Sequence, residues 1–290
     1  MLFRSINNAL DAVFARVADE SGPAYLWYAM RVQQLPLGLI GVAFSGALLP
    51  PLSRAYHSGN LTRYSNFILT SIQRCALLLI PFAFALFITG DTCINLLYGR
   101  GDFTDESTLA TTYCLWAYSC GLVPMGLILT MAPAFYARED YRTPTIASAL
   151  AVGMNIGLNA VLIFGWGMGA ASVALATSLS SWFNVLYLGV ALEKKQPNLW
   201  KDSKIWKKIA GTVGVALFSC VAVVAVDAAF FSENNLLLLI QEKAPQLPHG
   251  FSAQALRFGA EAVAFGCPVL LWWWKEFATA NKSESRKIAL

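Results

Sequence analysis

Charge is scarce in this 290-residue chain: Asp, Glu, Lys and Arg together make up 13% of it, about half of the ~25% usual in soluble domains. With 57% apolar residues and a mean hydropathy of +0.53, that shortage excludes a soluble globular domain. The composition instead predicts an all-α, polytopic membrane protein. Histidine is rarer still. His57 and His249 both fall in predicted loops, and neither an HExxH nor a GxSxG motif occurs. Metal-dependent and serine-nucleophile hydrolysis therefore lack their usual groups, and no enzymatic activity is expected. The cysteines, Cys75, Cys93, Cys114, Cys120, Cys220 and Cys267, form no CxxC pair and no disulfide framework. They read as buried structural thiols. No short basic n-region with a small-residue cleavage site opens the chain, so no cleavable signal peptide is expected.

What the chain does have is long apolar runs. They lie at 24–50, 66–89, 109–136, 143–164, 168–192, 206–231 and 252–277, each near or above the ~20 residues that a spanning helix needs. A weaker segment, 2–18, places Leu2, Ile6, Leu10, Val13, Phe14 and Val17 at helical spacing but is interrupted by Arg4, Asp11 and Arg16. It suits either an interfacial amphipathic helix or the wall of a polar cavity. Counting it, about eight transmembrane helices are expected. Pro36, Pro50, Pro51, Pro81, Pro124 and Pro133 predict kinks. Gly38 with Gly41, and Gly153 with Gly157, predict close backbone approach. Trp272, Trp273 and Trp274 look like an interface anchor.

Basic residues alternate from loop to loop. One side collects Arg54, Arg63, Arg138, Arg142, Lys194, Lys195, Lys201, Lys204, Lys207, Lys208, Lys275, Lys282, Arg286 and Lys287. The other has Arg100, Lys243 and Arg257. Fourteen against three places the first set, and with it the C-terminus, in the cytoplasm. The basic stretch 193–208, EKKQPNLWKDSKIWKK, suits an anionic leaflet. It divides the chain into residues 1–192, a cytoplasmic linker at 193–208, and residues 209–290 with two further helices and a tail.

Two features within the spans invite a functional reading. Arg31, with Gln33 and Gln34 close by, sits inside an apolar run, where insertion scales penalise an arginine by about 2.5–3.5 kcal/mol. Either it snorkels to the headgroups or it faces a polar cavity. Asp11 with Asn155, Asn159 and Thr177 offers one carboxylate and several neutral oxygens, a set suited to a hard monovalent cation. The alternative is ordinary interhelical hydrogen bonding. If helix one packs beside the other two, Asp11 should approach Asn155 or Thr177 with oxygens some 4–6 Å apart around an ion. Asp227, near a helix end, reads as a solvated carboxylate. Glu261 has Arg257 one turn away to pair with.

The run YAMRVQQLPLGLIGVAFSGALLPPLSRAYHSGN, then YGRGDFT and MAPAFYAREDYRTP, resembles the MurJ (MviN) family of lipid II flippases in the multidrug/oligosaccharidyl-lipid/polysaccharide exporter superfamily. The resemblance implies two six-helix lobes around a central cavity, of which this chain looks like the second plus two extra helices. The first lobe would be a missing partner, in a longer protein or encoded separately. It implies transport of the undecaprenyl-linked peptidoglycan precursor, lipid II, across the bacterial inner membrane by alternating access, with membrane lipids as further partners and nucleic acid as none. A drug or polysaccharide exporter, or a non-transporting scaffold, is the alternative. Arg31 falls on the family's cavity arginine, and Arg31 with Gln34 would contact substrate. Asp11, Asn155, Asn159, Val173 and Thr177 match a sodium shell in which Asn159 stands where the family has an aspartate. No cofactor beyond such a sodium ion is expected.

Overall fold

The structure, a computed structural model, describes residues 2–201, 203–230 and 251–288, and every element among them is helical. Helix α1 spans Leu2–Ala18. Helix α2, Gly22–Pro36, opens on Pro23, a position where the missing N–H is lost to no intrahelical partner. Pro36 ends its regular hydrogen bonding, since proline cannot donate. The chain continues as a π-helical stretch, Leu37–Val42, before α3, Ala43–His57.

Asn60 caps α4, Leu61–Ile88, by accepting from the Arg63 amide at 2.9 Å. A short helix, α5, Gly90–Tyr98, follows. Thr104 caps α6, Asp105–Tyr136, whose first turn carries Asp105 and Glu106, a favourable arrangement for the helix dipole. Helix α7, Arg142–Ala160, runs into a second π-helical turn, Val161–Gly165. Then come α8, Ala171–Lys195, α9, Ser203–Phe230, and α10, Phe251–Ile288.

Among the described residues, seven helical runs of 23 to 36 residues are long and apolar enough to cross a membrane, and α2 through α3 forms the longest of them. Helix α1, at 17 residues, is the amphipathic exception, and it packs against α2 and α7. Helix α5 has no counterpart in the apolar pattern. Lys243, part of the charge tally, lies outside the described residues.

Helix α6 is the central strut, touching α2, α3, α4, α5 and α8. Its two ends lie in separate cores. One gathers Leu52, Tyr64, Ile68, Phe135, Leu188 and Leu192; the other gathers Ala15, Leu26, Ala29, Ile94, Leu115 and Val173. Between them sits a small cluster of Leu37, Cys75, Leu79 and Leu122. Lipid gives helices little hydrophobic reason to associate, so close packing must supply the energy. Helices α6 and α8 approach closely at Gly121, where a Cβ would overlap Ser178 Oγ. That hydroxyl donates to the Ala117 carbonyl at 2.7 Å.

Close approach thus occurs at Gly121, and at Gly41, where a Cβ would meet Leu129 at 2.7 Å. Gly38, Gly153 and Gly157 face open space, contrary to their spacing. Cys75 and Cys114 are buried as expected, whereas Cys120 and Cys267 are exposed, because they sit on outward helix faces. Helix α9 docks on α4 through Ala76, Ile80 and Ala216, and α10 packs on α9 through Val223, Phe265 and Val269. The tryptophan run divides. Trp272 donates to Thr212 Oγ1 at 3.3 Å and Trp273 to the Leu77 carbonyl at 3.0 Å, so both join helices, and Trp274 alone, 75% exposed, stands as an anchor.

Candidate functional site

Asn7 and Asp11 lie four residues apart, on one face of α1. Asn155 and Asn159 repeat that spacing on α7, and Thr177 meets both from α8. Asp11 is 3% exposed and both asparagines are fully buried. Around the carboxylate, Asn7 Nδ2 donates to Oδ2 at 2.9 Å, Thr177 Oγ1 to Oδ2 at 2.9 Å, and Asn159 Nδ2 to Oδ1 at 3.3 Å. Asn159 also donates to Asn155 Oδ1, and Asn155 Nδ2 to Thr177 Oγ1, each at 2.9 Å. Turning the Asn155 amide over places its nitrogen 3.1 Å from Asp11 Oδ1 and its oxygen 3.2 Å from the Thr177 amide. Either orientation leaves the carboxylate with at least three donors.

The oxygens are in direct contact, closer than the 4–6 Å spacing expected around an ion. Thr177 itself fills the gap with a hydrogen bond. No ion pair involves Asp11 among the described residues; Arg16, the nearest cation in sequence, pairs with Glu20 at 3.2 Å. A charge buried this deeply without a counter-charge is costly. Asn159 Oδ1 is buried with no hydrogen-bond partner, so an acceptor oxygen beside the carboxylate is still unused. One carboxylate, amide and hydroxyl oxygens and an orphaned carbonyl fit a hard monovalent cation better than a transition metal. No group of three or more His, Cys, Asp or Glu side chains that could hold a metal occurs among the described residues. Val173, fully buried one turn before Thr177, has an apolar side chain; only its carbonyl offers oxygen.

A chamber of about 250 Å³ adjoins this cluster, walled by Asn7, Asn8, Asp11, Met30, Gln33, Gln34, Tyr118, Ser180, Ser181 and Asn184 among others. Gln34 lines it. Gln33 ties α2 to α6 by donating to the Tyr118 carbonyl at 2.7 Å. Arg31 does not line it; its guanidinium lies 4.6 Å over the Trp27 ring, on an outward stripe where Trp27 is 50% and Leu35 63% exposed. The polar face of α2 therefore divides, with Gln33 and Gln34 toward the bundle and Arg31 away from it. Asn7 and Asn184 were missed in the sequence. Asn7 had a usable signal, its four-residue spacing to Asp11. Asn184 had none.

Two charged clusters brace the frame. Arg257 donates to Glu261 Oε1 at 3.0 Å and to Asp227 Oδ2 at 2.8 Å, while Thr92 of α5 donates to the same Glu261 oxygen at 3.0 Å. Glu261 thus has the expected partner. Asp227, expected to be solvated, is paired, because α9 and α10 bring its helix end beside Arg257. At the basic end, Lys195 pairs with Asp140, Arg138 lies 5.1 Å from the Tyr56 ring and 5.6 Å from that of Tyr64, and Tyr64 donates to the Ala134 carbonyl at 2.6 Å. Burial alone would raise the Asp140 carboxyl. Hydrogen bonds from Lys195 and Thr143 outweigh it and bring the pKa down to about 2.

The family profile described as Lipid II flippase MurJ matches residues 1–240. A probable lipid II flippase MurJ from Rhizobium meliloti (strain 1021) is 34% identical over 251 residues, which are 86% of this chain and 46% of that protein. One from Vibrio cholerae serotype O1 is 34% identical over 190 residues, 65% of this chain and 36% of its own length. The chain spans between about a third and a half of the curated relatives it matches. Among solved structures, a lipid II flippase MurJ in an inward closed conformation superposes with a TM-score of 0.64 at 26% identity, covering 90% of this chain and 51% of that one. An outward-facing multidrug resistance MATE family transporter of the MOP superfamily shares the fold at a TM-score of 0.61 and 14% identity, over 91% of this chain and 60% of its own.

Proposed function

The chain belongs to the MurJ family of lipid II flippases, and from that premise we propose that it forms the second lobe of a flippase that moves the undecaprenyl-linked peptidoglycan precursor across the bacterial inner membrane. It is a transporter and not an enzyme. It works opposite another six-helix lobe, with residues 1–192 as its own lobe, the 193–208 linker and the C-terminus on the cytoplasmic side, and 209–290 contributing the two further helices. The observation that carries this reading is a chamber inside an apolar bundle whose largely apolar wall carries Asn7, Asn8, Asp11, Gln33, Gln34 and Asn184. Polar and ionisable side chains at membrane depth face bundle interiors or water-filled cavities and mark substrate and ion pathways.

Gln34 presents an amide to the chamber, and Arg31 stands one turn away on the same helix. Its planar fork suits the diphosphate of the precursor. Asp11, Asn155, Asn159, Thr177 and the Val173 carbonyl would hold a sodium ion. When bound, the ion supplies the positive charge that the cluster lacks. These side chains join α1, α7 and α8, so their contacts set how those helices sit on one another.

The test is depletion of the chain in the cells that make it. Lipid-linked precursor should accumulate on the inner leaflet and the cells should lyse. Normal precursor distribution after depletion overturns the proposal.

A further inference from the structure

The stretch YGRGDFT, residues 98–104, stands apart from the chamber and the Asp11 cluster. Helix α4 leaves the basic end, where His57 meets Glu139, and α5 and this stretch follow its far end. The backbone requires both glycines. Gly101 holds φ at +63°, a conformation that glycine adopts freely and other residues rarely do, and at Gly99 a Cβ would overlap Asn95. The tight loop so formed carries Arg100, Asp102 and Phe103 back to α2. There Tyr28, Tyr98 and Phe103 face one another, with ring centroids 4.7 Å apart for the two tyrosines, 5.6 Å for Tyr28 and Phe103, and 6.1 Å for Tyr98 and Phe103. With Arg100 and Asp102 they wall a pocket of about 310 Å³, at the lower end of the ~300–1,000 Å³ typical of small-molecule sites. The three rings are half-buried, and Arg100 and Asp102 are exposed.

This lining selects its guest. A six-membered sugar ring has an apolar face of C–H groups and a rim of hydroxyls. The face suits an aromatic ring, and the rim suits a carboxylate that accepts with phenol and guanidinium groups that donate. An ammonium guest would also suit aromatic rings, but two cations oppose it. Arg100 lines the pocket. Burial raises the pKa of the Tyr98 phenol and the Arg31 charge works against that rise, so Arg31 is felt there too. Tyr28 and Arg31 are three residues apart on α2, neighbours on one face. A diphosphate at Arg31 therefore sets the group attached to it beside Tyr28.

We propose that Tyr28, Tyr98 and Phe103, with Arg100 and Asp102 at the rim, form a sugar-stacking subsite that holds the first sugar ring of a diphosphate-linked glycan while Arg31 holds the diphosphate. The proposal rests on the reading of the chain as a flippase lobe for such a precursor. Helix α2 runs from this pocket toward the middle of the bundle, so the order of groups along it gives the passenger one orientation. The diphosphate lies toward the middle and the sugar toward the end opposite the basic loops.

Binding is read on the purified full chain by saturation-transfer NMR. The probe is N-acetylglucosamine 1-phosphate, with methyl phosphate as the anion without a ring and cyclohexyl phosphate as the ring without hydroxyls. The sugar phosphate should bind at least tenfold more tightly than either. Phe103→Leu, which keeps bulk and loses the aromatic face, should remove that advantage, and Phe103→Tyr should retain it. Asp102→Ala, at the exposed rim where folding is not at stake, should weaken the sugar phosphate at least threefold and leave cyclohexyl phosphate unchanged. Arg31→Ala should weaken all three phosphates alike and preserve the advantage of the sugar. Equal binding of the sugar and cyclohexyl phosphates, an advantage that survives Phe103→Leu, or indifference to Asp102→Ala overturns the subsite. A sugar advantage that these variants remove, found together with normal precursor distribution after depletion of the chain, leaves the subsite standing and overturns the flippase reading instead.

Discussion

The Thr177 hydroxyl donates to Asp11 Oδ2 at 2.9 Å across 166 residues of chain, joining α8 to the amphipathic first helix. Thr177→Val removes this donor without changing shape. A hydrogen bond to a charged group contributes about 1.5–3 kcal/mol, and interhelical bonds within bilayers average lower, at about 0.6. Thermal melts should place the loss between these values. In the background of Asp11→Asn the same substitution should cost less, because the buried charge it served is gone.

Asp140 and Lys195 offer a pH test. A carboxyl held down near pKa 2 against an ordinary value of about 3.9 contributes stability that is complete above about pH 4 and is lost as pH falls toward 2. Melts of the parent chain should therefore fall off over that window more steeply than those of Asp140→Asn. Parallel curves refute the pairing.

Arg257 is shared between α9 and α10. Arg257→Ala leaves Asp227 and Glu261 without their cation. The cost should be less than the roughly 3–5 kcal/mol of breaking a fully buried pair, since Arg257 is 39% exposed. Thermal melts should report the loss, and Glu261→Gln, which keeps an acceptor for Thr92, should be milder.

Glycine positions separate by contact. Gly121→Ala pushes a methyl into Ser178 and should lower the melting temperature. Gly153→Ala meets nothing within 4 Å and should leave it unchanged or raise it, alanine's helix propensity favouring the helix by up to about 1 kcal/mol.

For Arg31, flipping of the precursor by the assembled transporter is the readout. Arg31→Ala should reduce it at least tenfold at normal expression, and Arg31→Lys should recover only part, since lysine lacks the bidentate fork. Full activity in the alanine variant would return Arg31 to headgroup snorkelling, with Trp27 as its platform.

The seven long runs were legible because a bilayer demands continuous apolar length, and most of the helices begin and end within a few residues of those runs, while α3 continues to His57 and α10 to Ile288 through residues too polar for the apolar pattern. Asn155 with Asn159, and Val173 with Thr177, were legible as sharing a face of their helices because i, i+4 spacing fixes which side chains share a side, whereas the meeting of these faces with Asp11 is set by the packing of α1, which no spacing records. Arg31 was harder. Periodicity places it a turn from Gln34 but does not say which neighbour covers which face, and here the bundle covers Gln33 while leaving Arg31 exposed. Short α5 escaped notice because nine residues are too few for a hydropathy window. Asp227 and Trp273 were misread because their partners, Arg257 and the Leu77 carbonyl, are set by packing between distant helices.

The π-helical stretch at Leu37–Val42 makes the long α2–α3 rod sensitive to the count of residues and not only to their kind. A π turn holds about one residue more than the α turn it replaces, so loss of a single codon there would restore a regular helix and leave Leu52, fully buried, facing its core. The same loss outside the stretch would turn everything beyond it by about 100° about the axis. Single deletions should therefore be better tolerated within this window than beside it, although the residues themselves are plain aliphatics and glycine.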